Sequence, residues 1–288
     1  MRAILLLLCA VATAHALRPH HAHGQRPCLE HVWGRKMHKH RELVASRNEQ
    51  IAANVARFTQ EKNAYDAFEA TYSCLEDDRV GTLFGDGGKF VCGEATHFRR
   101  HGCLVYSVGS NGDASFEKDV IARFGCEVHS FDPSGDTAQM EVDVSQSGPV
   151  FHAWGVGASG AEFTNEVDHK TTPLLSVHDI MERLGHAERH IDILKIDCEG
   201  CEYKALAAVW PQVRAGRVSI GQIQVEMHGT DFAQAREFFD GAESAGYMIF
   251  HKERNHWGCA GYMCVEYALI HVDDARAVFD SAYCGEAV

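Results

Sequence analysis

Apolar positions change their rhythm near Cys103. Before it, Val44, Ile51, Val55, Phe58, Tyr65 and Phe68 recur at helical intervals among charged residues from about Arg41 to Tyr72, with no Gly or Pro to interrupt them. This predicts one long amphipathic helix or two shorter ones, serving as a packing element. The Gly- and Asp-rich stretch from Gly81 to Gly93 reads as loop. After Cys103, short apolar runs alternate with amphipathic stretches. Cys103–Val108, Cys126–Phe131, Val150–Trp154, Ile191–Ile196, Ile220–Met227, Tyr247–His251 and Cys264–His271 read as strands.

Helices are expected between them. One carries the face Phe116, Val120, Ile121 and Phe124 and is closed by Gly125; another is opened by a capping box of Ser176 and Asp179; a third runs through Tyr203, Leu206 and Trp210 and is ended by Pro211; the last spans Phe232–Ala245. Strands separated by helix-sized segments require right-handed crossovers. The expected fold is therefore α/β: a seven-stranded, mostly parallel sheet with helices on both faces, preceded by an N-terminal helical segment.

The 288 residues are 45% hydrophobic and 23% charged, which excludes collagen-like and wholly disordered chains. A formal charge of -13 repels phosphate backbones, so no nucleic-acid partner is expected. Met1-Arg2, the apolar run Ala3–Ala14 and the triplet Ala14-His15-Ala16 have the three parts of a signal peptide over residues 1–16. The run is too short for a stable membrane span, so a secreted or lumenal protein is expected. Residues 17–40, with His20, His21, His23, His31, His38 and His40, offer imidazoles to a transition metal but no spacing that fixes a geometry, and read as a flexible, solvated segment. Residues 41–102 form the helical extension and loop, and 103–288 the principal domain. Cys28, Cys74, Cys92, Cys103, Cys126, Cys198, Cys201, Cys259, Cys264 and Cys284 follow the signal peptide, an even set that suits disulfides of open connectivity on a secretory route. Cys198 and Cys201 have a spacing that suits a shared metal or a disulfide, and no second pair at zinc-finger spacing accompanies them. The aromatic-rich segment Asn255–Tyr267 reads equally as a cover for substrate or as a disulfide-pinned loop.

Chemistry-bearing residues gather at the carboxyl ends of the expected strands, where ligands bind in open α/β sheets. The first strand runs into Gly109-Ser110-Asn111-Gly112-Asp113, a turn that lets backbone approach a ligand. The second ends in Asp132, placed to accept hydrogen bonds from ribose hydroxyls. The fourth runs into Asp197, Glu199 and Glu202, more carboxylates than helix capping explains. The fifth ends in Glu226-Met227-His228, an acid and an imidazole suited to general-base work or to a divalent cation, whose requirement the sequence leaves open.

Together, Val105–Asp113, Val128–Ser134, Ile193–Glu202 and Gln224–His228 resemble class I S-adenosylmethionine (SAM)-dependent methyltransferases. Within them, the Leu194-Lys195-Ile196-Asp197 and Glu199-Gly200 segment is similar to the hallmark of the group allied to FkbM-type domains. The resemblance covers about Cys103 to His271 and implies a Rossmann-like domain with SAM as cofactor. It implies that Ser107, Gly109, Ser110, Asn111 and Gly112 lie against the methionine part, that Asp132 holds the ribose, and that Trp154 and Gly155 flank the adenine. Asp197 would lie near the reacting methyl, with Glu199, Glu226 and His228 as candidate catalytic groups. The chain departs from the pattern at Ser107, where an acid is usual, and in the make-up of its glycine turn. The expected activity is O-methylation of a small molecule, sugar or glycan, because no Asn/Asp-Pro-Pro-aromatic segment follows the fourth strand. A nicotinamide oxidoreductase would want Gly-x-Gly-x-x-Gly, which is absent. The alternative is a secreted, non-catalytic binding protein on a degenerate methyltransferase fold.

Overall fold

The structure, a computed structural model, describes residues 29–99, 102–257 and 259–284. The expected signal peptide and the cluster His20, His21 and His23 lie outside the described residues. In chain order the elements are α1 (Glu30–Ala53), α2 (Val55–Phe58), β1 (Asp77–Val80), β2 (Lys89–Cys92), α3 (Ala95–Arg99), β3 (Leu104–Val108), α4 (Ser115–Phe124) and β4 (Glu127–Phe131). They continue with α5 (Thr137–Ser145), β5 (Val150–His152), β6 (Gly155–Val156), β7 (Glu162–Thr164), β8 (Thr171–Leu175), α6 (Val177–Leu184) and β9 (Ile191–Ile196). The chain then runs through α7 (Glu202–Arg214), β10 (Ile220–His228), α8 (Phe232–Ser244), β11 (Tyr247–Arg254), β12 (Cys264–His271) and α9 (Val272–Cys284).

The seven strands read from the sequence are the seven of the central sheet, in the order β5-β4-β3-β9-β10-β12-β11. Neighbours are parallel from β5 to β10. The late strand β12 inserts antiparallel between β10 and β11. Strand order reverses at β3, whose neighbours are β4 on one side and β9 on the other, so a crevice opens there at the carboxyl ends.

Alternation along the strands gives each face its own core. Leu104, Tyr106, Leu194, Ile223 and Leu269 pack with Leu206 and Trp210 of α7 and Phe238 and Phe239 of α8. On the opposite face, Val105, Val128 and Ile193 pack with Phe116, Val120 and Phe124 of α4. Met248, Phe250 and Ile270 continue that face under Met37 of α1 and Val278 of α9. The capping box at α6 forms as read, with Ser176 and Asp179 bonded reciprocally.

Five local expectations are corrected. The helical stretch expected to run to about Tyr72 stops earlier: α1 ends at Ala53 and α2 at Phe58, so Tyr65 and Phe68 enter the core from outside any α-helix. The stretch Gly81–Gly93 is not all loop, because Lys89–Cys92 forms β2, antiparallel to β1. The segment expected to stay flexible through residue 40 is helical from Glu30: Trp33 packs edge-on to Tyr72 and against Phe279, and Glu30 pairs with Arg276. Pro211 does not end α7, which continues to Arg214, since a proline removes one N–H while its own carbonyl still accepts from Ala215. Strand β5 stops at His152, leaving Trp154 in the link to β6.

Candidate functional site

The turn after β3 is held from two sides. Gly109 has φ +76°, and a Cβ there would lie 1.7 Å from the Asp197 carbonyl oxygen, so only glycine lets the turn pack on the end of β9. From the other side the buried Asp132 carboxylate accepts the N–H groups of Ser110 at 3.1 Å and Asn111 at 3.0 Å through Oδ2. Its Oδ1 accepts the Ser134 N–H at 3.0 Å and the Ser134 hydroxyl at 2.5 Å. Asp132 thus organises the turn directly, and each of its oxygens already has two donors.

Ser107 does not face the crevice. It is fully buried beneath the turn, and its hydroxyl donates to Glu117 of α4. Glu117 also lies 3.9 Å from the Lys195 ammonium, which donates to the Gly109 carbonyl at 2.8 Å. The following helix thus sets a buried acid beneath the turn, against Ser107 and Lys195. Trp154 is half-buried beside Phe131 and His152, with the Arg183 guanidinium over its ring. Gly155 packs between Leu174 and Pro133, so Trp154 and Gly155 fall on the Asp132 side of the crevice, apart from the carboxylates.

Those carboxylates converge on a cation. The buried Lys89 ammonium lies 3.1 Å from Asp197 Oδ2 and 3.9 Å from Glu226 Oε2, and it pairs closely with Glu266. Glu226 and Glu266 are cross-strand partners on β10 and β12, a like-charge juxtaposition that Lys89 neutralises. Burial opposes charge on Lys89, but the three carboxylates outweigh it and raise its pKa. For Asp197, burial is likewise outweighed by Lys89 and Lys195, and its carboxyl is held below the usual range. Glu226 responds the other way: burial, then Glu266 and Asp197, push it up to about 8, against a bond of 2.8 Å from the Asn255 amide.

His228 closes the far side. Its Nδ1 lies 2.9 Å from the buried Glu202 carboxylate, and its Nε2 lies 3.4 Å from Glu199, whose side chain is otherwise exposed. Burial lowers its pKa, but the Glu202 contact and the neighbouring acids prevail and raise it to about 9. Glu202 also accepts the N–H groups of Cys198 and Gly200, fixing the loop that a Cys198–Cys201 disulfide closes. Asp197, Glu226 and His228 offer ligand atoms within 4.8 Å of one another, near enough to share an ion. Lys89 supplies positive charge among the same carboxylates.

Asp197, Glu199, Glu226 and His228 were legible as strand-end residues and do come together. Lys89, Glu266, Asn255 and Glu117 were not singled out. Their signals were present: an acid inside the otherwise apolar run Cys264–His271, and the alternation Gln222, Gln224, Glu226 along a buried strand, which marks a face with something polar docked on it.

A doubly wound sheet whose switch-point crevice holds a glycine turn, a buried acid and a charged cluster defines a group-transfer or nucleotide-type site. The family model described as Methyltransferase domain matches residues 27–271, and the chain belongs to that family; it is a methyltransferase. No curated protein matches the sequence. Among solved structures, the chain is similar to the fibrillarin pre-rRNA processing protein of Methanococcus jannaschii, with 9% identity, TM-score 0.37, and coverage of 60% of this chain and 68% of that one. It is similar to human methyltransferase-like protein 13 in complex with SAH, with 12% identity, TM-score 0.36, and coverage of 65% and 88%. A putative SAM-dependent methyltransferase from Streptococcus mutans is similar at 11% identity and TM-score 0.37, covering 61% and 46%.

Proposed function

We propose that the chain methylates a hydroxyl oxygen of a small molecule, sugar or glycan in the secretory pathway. The observation that carries this reading is the placement of Glu226 and His228 at the end of β10, two proton acceptors whose ligand atoms lie within 4.8 Å of Asp197 at the end of β9. A hydroxyl nucleophile must lose a proton as it attacks, and a carboxylate or an imidazole placed there can take it. The cofactor supplies an activated methyl on a sulfonium, so the protein's work is alignment and proton removal.

The residues present suit that cofactor. Ser110 Oγ is buried with no hydrogen-bond partner, and a Cβ at Gly112 or Gly200 would meet nothing within 4 Å, leaving room along the turn. Asp132 reaches a ribose hydroxyl by exchanging the Ser134 hydroxyl, the one rotatable donor of its four. Pro133, Trp154 and Gly155 offer an apolar wall for a purine on the same side. Asp197, held ionised by Lys89, adds negative charge that favours a sulfonium nearby. The run Asp197-Cys198-Glu199-Gly200 after β9, where no Asn/Asp-Pro-Pro-aromatic segment stands, favours an oxygen acceptor.

Disulfides at Cys74–Cys92, Cys103–Cys126, Cys198–Cys201 and Cys259–Cys264 support an oxidising compartment. No helix among the described residues is long and apolar enough to cross a membrane. The test is transfer of labelled methyl from SAM to a panel of hydroxyl-bearing glycans and small molecules. Glu226→Gln or His228→Gln is expected to lower the rate about 100-fold or more while SAH binding persists. Transfer to amine acceptors alone, or full activity in both variants, contradicts the reading.

A further inference from the structure

Away from the crevice, three side chains at the amino end of β4 are arranged for a different task. We propose that Glu127, His129 and His186 form a binding site for a divalent transition-metal ion of the zinc type. His129 Nε2 lies 2.9 Å from Glu127 Oε1, and His186 Nε2 lies 3.4 Å from the same oxygen. All three ligand atoms fall within 4.8 Å of one another. Ligands on one tetrahedral zinc, bonded at about 2.0–2.1 Å, stand about 3.3 Å apart, so the spacing suits an ion between them with little movement.

The atoms around this trio do what outer partners of metal ligands do. A ligating imidazole usually gives its other ring N–H to a fixed acceptor, which sets tautomer and orientation. His129 Nδ1 lies 2.9 Å from His152 Nε2, and His186 Nδ1 lies 2.8 Å from the Tyr106 hydroxyl. The second Glu127 oxygen accepts from the Arg189 guanidinium at 2.7 Å, leaving Oε1 to the two imidazoles.

The rings of His129 and His186 are buried while Glu127 is about half-exposed, so one side stays open for water or a fourth ligand and gives the ion a way in. His2Glu with an open position is a zinc ligand set. Glu127 and Asp132 mark opposite ends of β4, separated by about 16 Å of extended chain. The trio is therefore distinct from the crevice, and its metal binding does not depend on the methyltransferase chemistry proposed there.

The experiment is a zinc titration of the full chain against a chromophoric chelator. It is repeated with His20, His21 and His23 all changed to Ala, to remove the imidazoles of the N-terminal stretch, and with Glu226→Gln, to remove the acid of the crevice. One zinc per chain is expected in all three proteins. Glu127→Gln and His186→Gln, shown to be folded by circular dichroism, are each expected to bind at least tenfold more weakly. Tyr106→Phe, which keeps the packing and loses only the hydroxyl, is expected to weaken binding about tenfold. Cobalt should give the visible bands of a low-coordinate ion in the parent and lose them in Glu127→Gln. The proposal is overturned if zinc binding disappears with the N-terminal histidines or with Glu226, if folded Glu127→Gln and His186→Gln bind as the parent does, or if the parent binds no zinc.

Discussion

At Gly109 one hydrogen atom decides whether the crevice exists. Its backbone is left-handed, and a methyl group would overlap the Asp197 carbonyl. Gly109→Ala is expected to destabilise the chain by more than about 2 kcal/mol, read as a lowered urea midpoint with unchanged slope, because neither the turn nor β9 can yield. An unshifted midpoint would mean that the turn relaxes. Proton affinities make a second prediction at this scale. Glu226 at about 8 and His228 at about 9 hold protons at neutral pH, and a base must be free of its proton. Methyl transfer is therefore expected to rise from pH 7 and level near pH 9; a flat profile would remove both as the base. Stability should move the opposite way. Both folded-state values lie above the unfolded ones, so the folded chain binds protons more tightly and loses this contribution as pH climbs toward 9. Ser107 shows where single positions mislead: the strand offers a hydroxyl, and only the packing of α4 shows that it is buried against Glu117 and not open to the crevice.

The hairpin β1–β2 shows the same limit for elements. Its strands are short, and the Gly- and Asp-rich link between them has no alternation to read, so the sequence alone suggests loop. Folding fixes it through β10: the Gln222 amide donates to the Cys92 carbonyl at 2.7 Å while its oxygen accepts the Cys92 N–H at 2.9 Å, and Gln224 donates to the Phe90 carbonyl at 3.1 Å. Buried glutamines thus stand in for a neighbouring strand, and they set Lys89 among three acids. Lys89→Met keeps the length of the side chain and removes its charge. The expected cost is about 3–5 kcal/mol near neutral pH, since it leaves buried carboxylates uncompensated. The loss should shrink in acid, where those groups take up protons. A stability equal to that of the parent across pH would show that Lys89 is not their counter-charge. The start of helix α1, from Glu30 to His40, was hidden for a related reason: its first turns are mostly polar, and Trp33 and Met37 acquire their meaning only from Tyr72, Phe279 and the outer face of the sheet.

Across the whole molecule, the central sheet was the most legible feature. Strands buried on both faces read as continuous apolar runs, and those from β3 to β11 kept their places because helices separate them, while a loop joins β11 to β12. The antiparallel insertion of β12 was less accessible, since periodicity carries no strand direction. Site residues followed the same division: those at strand ends could be read from position alone, whereas those contributed by the N-terminal hairpin and by β12 needed the folded chain. What unites the scales is the crevice at the carboxyl ends of β3, β4 and β9, which we propose holds SAM. Calorimetric titration of the oxidised full chain with SAH tests that claim most directly. The account predicts saturable binding at one site per chain in the micromolar range, weakened at least tenfold by Trp154→Ala. Absence of binding by a protein shown to be folded, or binding indifferent to Trp154, would contradict it.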